Sequence, residues 1–396
     1  MSIVFSDRLS SNPFEAITDL RSQGRLVRQK IPIIGKVWFT TDQEMATLVL
    51  KDSSNFGVRK PNGKAVGLQW WMPKTISLLA SNMLAMDGDE HKRLRQIVDR
   101  AFRREAIMAL EPEIEIMAND MVSELFKERQ EVDLLATFAR RFPLAVICEL
   151  LGLPKKDRQQ FAIWAEGFTR VTGVLDFLKL IPRLKAMTKY IRRKAKEARL
   201  SGGKGLIAEL VIAQDENDQM SDDELIAMVF LLLIAGHETT THLISGGVLA
   251  LLQHEDQKHW LMEDWGRTNT AIEELLRYVT PVQMSKPRYA FSDQGMGGVH
   301  VKRGELVMAL LTAANYDEAL IDNPQMLNLD RRPNRHIAFG SGIHFCLGHQ
   351  LARLEGKHAI KALFSQHPNL ALATDQIKFR KRIGINALTE LKIKPN

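Results

Sequence analysis

Cysteine is almost absent from this chain: among 396 residues only Cys148 and Cys346 carry a thiol. So few, so far apart, exclude a disulfide framework, an iron–sulfur cluster and a zinc site of short-spaced ligands. They fit a reducing compartment, and the expectation is a cytoplasmic protein. Long apolar runs are also missing. None reaches the roughly 18 residues of a spanning helix, so no transmembrane anchor is expected. Residues 1–12 lack the charged-then-apolar pattern of a leader. There is no zinc-finger spacing, no glycine-rich RNA-binding signature and no compact helix-turn-helix. The net charge of +7 therefore does not indicate nucleic acid. It leaves an anionic membrane surface or an acidic protein partner.

What is present is an ordinary globular composition, 45% hydrophobic and 26% charged, long enough for a large core. Residues 31–41 predict a hairpin around Gly35, and 42–50 a short helix. Residues 57–81, with Trp70, Trp71 and Met72, predict a long loop. Helical periodicity covers 89–126, then 135–153, where Gly152 and Pro154 close it. Cys148 in that stretch reads as a buried small hydrophobe. Two helices follow in 155–200. Ser221 and Glu224 form a capping box opening a helix that runs to about residue 254, roughly 50 Å at 1.5 Å per residue. Its middle is apolar nearly all round, so it is buried. A helix over 270–278, a hairpin over 297–307 turning at residues 302–304, an irregular 317–336 and a helix over 347–364 complete the reading. The fold class is mainly α with a minor β portion.

Cys346 lies in Phe339-Gly340-Ser341-Gly342-Ile343-His344-Phe345-Cys346-Leu347-Gly348. A phosphatase loop fails, because the position that needs its arginine is Ala352. The Cys-x-x-Cys-His haem attachment is absent. A Cys–His hydrolase with His344 stays open, although so near a partner in a tight loop is badly placed to reach the sulfur. An axial thiolate to a haem iron uses every feature. A helix N-terminus stabilises negative sulfur, and Gly340, Gly342 and Gly348 admit a flat macrocycle close to the backbone.

With these residues the sequence resembles the cytochrome P450 family of haem-thiolate monooxygenases, over essentially the whole chain. Three further motifs fall in the family's order. Ala235-Gly236-His237-Glu238-Thr239-Thr240 lies on the long helix; by resemblance Glu238 and Thr239 relay protons to iron-bound dioxygen. Glu274 and Arg277, three apart on a helix face, resemble the family's Glu-x-x-Arg, with Arg331 as third member of a structural ion network. His91, Arg95, Arg288 and His344 resemble the cationic clamp on the haem propionates. The resemblance places Ala235, Phe339, Gly340 and Gly348 against the cofactor, haem b (iron protoporphyrin IX), and makes Cys346 the metal ligand. The Arg-Phe pair common in the family near residues 324–329 is missing.

The resemblance implies a single domain over 1–396, β-rich roughly over 25–80, with the haem between the long central helix and the cysteine loop. It implies insertion of one atom of O2 into a C–H bond of a lipophilic small molecule. Electrons come from an acidic ferredoxin or flavodoxin, steered by Lys92, Arg93, Arg100, Arg103 and Arg104. Trp71, Phe168, Ile234, Val282, Met284 and Ala387 are expected to line the substrate pocket. The basic residues of 183–204 read as a solvated face, or as an attractor for an anionic substrate or membrane. Other haem-thiolate chemistry (peroxygenase, desaturase or dehydratase) and a non-catalytic haem binder are the alternatives.

Overall fold

The computed structural model describes residues 3–5, 8–31, 34–60, 82–169, 174–217, 220–380 and 382–395. Among these the longer helices are α1 (Pro13–Arg21), α2 (Gln43–Lys51), α3 (Gly88–Asp99), α4 (Glu111–Ser123), α5 (Arg141–Leu150), α6 (Lys155–Thr169), α7 (Val174–Ser201), α8 (Leu206–Asn217), α9 (Asp222–Gln253), α10 (Glu255–Glu263), α11 (Thr268–Val279) and α12 (His349–Gln366). The chain divides into two compact units. One comprises Met1–Gly63, Ala118–Ala139 and Thr239–Asn396; the other comprises Lys64–Met117 and Arg140–Glu238.

All the strands among the described residues lie in the first unit: β1 (Leu26–Ile31), β2 (Gly35–Thr40), β3 (Phe56–Gly57), β4 (Val132–Asp133), β5 (Arg288–Ala290), β6 (Gln294–Met296), β7 (Val299–Val301), β8 (Leu306–Met308), β9 (Leu370–Leu372) and β10 (Lys392–Pro395). The five-stranded sheet has the order β1-β2-β8-β5-β3. β1 and β2 form the expected hairpin, but its first strand begins at Leu26, and Gly35 pairs with Ile31 instead of making the turn. Asp42 caps α2 by accepting from Met45 N–H at 2.8 Å. The hairpin expected over 297–307 is corrected. Its turn lies earlier, at Gly297-Gly298, where φ is +55° and +82°, and it joins β6 to β7. Two consecutive left-handed residues match the twist of a two-residue hairpin, and a glycine pair supplies them without strain. β8 leaves that hairpin and pairs in parallel with β2.

In the same unit α9 packs closely against α11 and α12 through glycines. A Cβ on Gly246 would meet Val279 at 2.5 Å, and one on Gly356 would meet Leu243 and Ile272 at 3.2 Å. α9 is long and apolar enough to cross a membrane by composition, yet 72% of its most apolar window is buried inside the protein. It is a core helix.

The second unit is helical among the described residues. The helix expected over 135–153 is broken: a π-helical turn, Leu135–Ala139, ends a segment of the first unit, and α5 follows it in the second. α5 ends in a Schellman motif, with Gly152 N–H on Glu149 O at 2.8 Å and Leu153 N–H on Cys148 O at 2.9 Å. Cys148 is fully buried, and burial pushes its thiol up to about 12. The capping box at the start of α9 is present: Ser221 N–H donates to Glu224 Oε2 at 2.8 Å and Glu224 N–H to Ser221 Oγ at 3.2 Å.

Gly152 and Gly205 let two backbone segments cross. A Cβ on Gly205, at φ +88°, would lie 2.5 Å from Gly152 N. Gly205→Ala is expected to cost about 2–4 kcal/mol, read as a lower urea midpoint at unchanged slope.

Candidate functional site

The cysteine loop is shaped by two left-handed glycines, Gly340 at φ +71° and Gly342 at φ +74°. At Gly342 the loop presses on the end of α2: a Cβ there would sit 2.0 Å from Leu50 O. Gly348 differs. It is the N-cap of α12 with φ −83°, so no left-handed conformation explains it. Inside the loop Gly340 N–H donates to Ile337 O at 2.8 Å, Phe345 N–H to Gly342 O at 3.0 Å and Cys346 N–H to Phe339 O at 3.0 Å. Cys346 therefore stands just ahead of the N-terminus of α12, held by its own backbone.

Every residue from 339 to 350 is only half-buried, although the neighbouring elements are packed. Phe339, Ile343, Phe345 and Leu347 thus present apolar surface around one soft sulfur. No group of three or more His, Cys, Asp or Glu able to hold a metal occurs among the described residues. A metal at Cys346 must bring its remaining ligands with it. A porphyrin iron does so and offers a flat apolar face to the loop, so the residues fit a haem.

Behind the loop, Glu274 and Arg277 on α11 are fully buried. Glu274 accepts from Arg277 Nη2 at 2.7 Å and Nε at 2.8 Å. It also accepts from Arg331 Nε at 3.1 Å, Asn328 N–H at 3.0 Å and Asn334 Nδ2 at 3.0 Å. Arg277 donates onward to the carbonyls of Asn315, Pro324 and Met326; Arg331 donates to those of Asp322 and Met326. The segment lacking the Arg-Phe pair is therefore pinned by its backbone carbonyls.

On α9, Ala235 is exposed and Leu231, Ile234 and Thr239 are half-buried, whereas His237, Glu238 and Thr240 are buried. This is a partly open stripe on an otherwise covered helix. Gly236 has a packing reason: a Cβ would meet Ile147 Cδ1 at 2.7 Å. Arg288 lies buried in β5, and His344 ends the short turn Gly342–His344. On α3, His91 is buried and Arg95 pairs with Asp99 at 2.9 Å. Arg93 bonds Glu224 within the second unit, while Lys92, Arg100, Arg103 and Arg104 are exposed. On α7, Arg183, Lys185, Lys189, Arg192, Arg193, Lys196 and Arg199 are exposed.

Of the expected pocket residues, Trp71 and the side chain of Phe168 lie outside the described residues, as does most of the loop over 57–81. Val282, Met284 and Ala387 come from two segments joined through their backbones. Gln283 N–H donates to Gly384 O at 2.9 Å and Asn386 N–H to Pro281 O at 3.0 Å, and Val282 bridges Ile385.

Two features escaped the sequence reading. One is Glu273, beside Glu274. Burial alone would raise its carboxyl, but hydrogen bonds from Arg353 and His336 hold it down to about 2. The other is Glu355 on α12, buried to 1% exposure. Burial raises its carboxyl well above the ordinary range, against a hydrogen bond from Thr240. Its signal was available: Glu355 and His358 fall in the apolar stripe of α12 with Leu351, Leu354 and Ala362.

A raised carboxyl destabilises as pH rises. Below the ordinary value of 4.5 Glu355 is neutral whether folded or not; above it the unfolded chain ionises first and is favoured. Glu355→Gln removes this slope. Its stability advantage over wild type is expected to be near zero at pH 4 and to grow by about 1.4 kcal/mol per pH unit above it, up to the folded-state value. Urea unfolding followed by circular dichroism across pH checks this.

Comparison with known proteins gives a consistent result. The family model described as Cytochrome P450 matches residues 180–376. The polyketide biosynthesis cytochrome P450 PksS of Bacillus subtilis (strain 168) is 36% identical over 389 residues, 96% of this chain and 95% of that protein. Its solved structure superposes with a TM-score of 0.90 at 35% identity, covering 99% of both chains. The vitamin D(3) 25-hydroxylase of Pseudonocardia autotrophica is 36% identical over 396 residues, 98% of this chain and 95% of that protein. A myxobacterial cytochrome P450, CYP267B1, solved in complex with myristic acid, superposes with a TM-score of 0.89 at 33% identity, covering 99% of this chain and 98% of that one.

Proposed function

The chain belongs to the cytochrome P450 family, whose members are haem-iron monooxygenases, and from that premise we propose that Cys346 holds haem b and that the protein hydroxylates a lipophilic small molecule. The observation that carries this is the half-exposed apolar loop over 339–350, with Cys346 fixed to Phe339 by its own N–H. In this reading both units together make the single family domain, and the protein works in the cytoplasm.

The haem, when bound, supplies the reductive activation of dioxygen and the transfer of one oxygen atom to a C–H bond. The chain does the rest. Cys346 is kept as thiolate by its place ahead of α12. Thr239 hands over a proton from Oγ1, and the Glu238 carboxyl replaces it. His91, Arg95, Arg288 and His344 neutralise the propionates. Ile234, Val282, Met284 and Ala387 hold the substrate and keep water out, and the family resemblance assigns Trp71 and Phe168 to the same task. Lipophilic substrates such as fatty acids, terpenoids, steroids or polyketides fit these residues, and the names of the relatives run the same way.

Electrons come from a redox partner, as in bacterial members of the family. We assign that role to an acidic ferredoxin or flavodoxin, attracted by Lys92, Arg100, Arg103 and Arg104.

The carbon monoxide difference spectrum of the reduced protein tests the assignment. Wild type is expected to show a thiolate-type Soret band and Cys346→His a histidine-type band; a histidine-type band in wild type ends the reading. Thr239→Ala is expected to keep the band but to lower the product formed per dioxygen consumed by at least about tenfold, measured with an oxygen electrode.

A further inference from the structure

Helix α11 carries two consecutive glutamates that grip the cysteine-bearing segment at different points. Glu274 takes Arg331 and Asn334, ahead of the loop. Glu273 takes residues on both sides of it. Its Oε1 accepts from Arg353 Nε at 2.5 Å and its Oε2 from Arg353 Nη2 at 2.8 Å. The same Oε2 lies 3.0 Å from His336 Nε2. Ala338 N–H donates to His336 Nδ1 at 3.2 Å, which puts the ring proton on Nε2, facing Glu273.

Held this way, Arg353 stands over Phe339, with Cζ 4.5 Å from the ring centroid. Arg353 Nη1 reaches His349 twice, its ring Nδ1 at 2.8 Å and its carbonyl oxygen at 3.1 Å. The His349 ring lies 4.9 Å from that of Phe345, the residue before Cys346. Phe339 is the residue whose carbonyl accepts from Cys346 N–H. A cation locked to an anion thus rests on the ring of the residue whose carbonyl holds the main chain of Cys346.

We propose that Glu273 and Arg353 form a charge pair that sets electron density at the Cys346 sulfur, and through it the reduction potential of the iron. The proposal rests on the reading of Cys346 as haem ligand, and it makes both groups positioning residues. A cation near the sulfur favours the reduced iron, which carries one negative charge more, and an anion disfavours it. Paired, the two nearly cancel. Deleting either charge leaves the other uncompensated, so the two deletions act with opposite sign. A clasp that only braced the loop would move both in the same direction.

The test is a potentiometric titration of the haem-loaded full chain as wild type, Glu273→Gln, Arg353→Met and the double substitution. Glu273→Gln is expected to shift the midpoint positive and Arg353→Met negative, each by up to about tenfold in the one-electron equilibrium, about 59 mV. The double substitution is expected to return towards wild type, and Arg353→Lys to stay nearer wild type than Arg353→Met. Carbon monoxide spectra report whether each form keeps its thiolate. Shifts of the same sign, no shift, or loss of the thiolate band in either single variant overturn the proposal. A wild type with the thiolate band whose variants do not split overturns this inference alone; a wild type without the band overturns the functional reading with it.

Discussion

The carboxylate of Glu274 is the constraint on which the first unit depends. An ionised carboxylate out of water is tolerable only when its oxygens are saturated. Here donors from α11 and from Asn328, Arg331 and Asn334 of the irregular 317–336 segment converge on it. None can drift without stranding a buried charge. The irregular segment, which has almost no regular hydrogen bonding of its own, is thereby tied at several points to α11. The cysteine loop follows it directly and is held at its far side by α2, whose Leu50 carbonyl leaves room only for glycine at 342. Rigidity at the sulfur thus comes from polar saturation behind it and steric exclusion beside it.

The long helix α9 solves a different problem. It must run through a core and still carry polar groups. Glycines at 236, 246 and 247 bring its neighbours close enough to seal the apolar stretches. The polar groups are concentrated between His237 and His242, where Thr240 bonds Glu355.

Much of this was legible in the sequence because it rests on local signals. The Ser221–Glu224 capping box and the Gly152 stop each depend on residues within one helical turn. Spacing alone allowed a Glu274–Arg277 pair on any solvated helix face; its structural role, like that of Arg331, entered only through the family resemblance. The signals that misled were those in which one pattern admits two registers. Lys302-Arg303-Gly304 and Gly297-Gly298 are both turn-forming, and only the pairing of β8 with β2 decides which closes a hairpin. The break at Leu135–Ala139 leaves the apolar pattern intact and so was invisible. The Glu273–Arg353 clasp was hidden for another reason: its members are far apart in sequence, and each alone looks like a surface charge. The proposed substrate wall could be read only as residue type, and part of it falls on residues outside those described.

The joining of residues 281–284 to 384–386 through main-chain atoms has an evolutionary consequence. Backbone pairing is indifferent to the side chains it displays. Val282, Met284 and Ala387 can be exchanged while Gln283 N–H stays on Gly384 O and Asn386 N–H on Pro281 O. The cysteine loop, by contrast, is secured by particular side chains and particular glycines. On the proposed function, descendants of such a chain are free to inherit new tastes through one short double strand while the oxidising centre is copied unchanged.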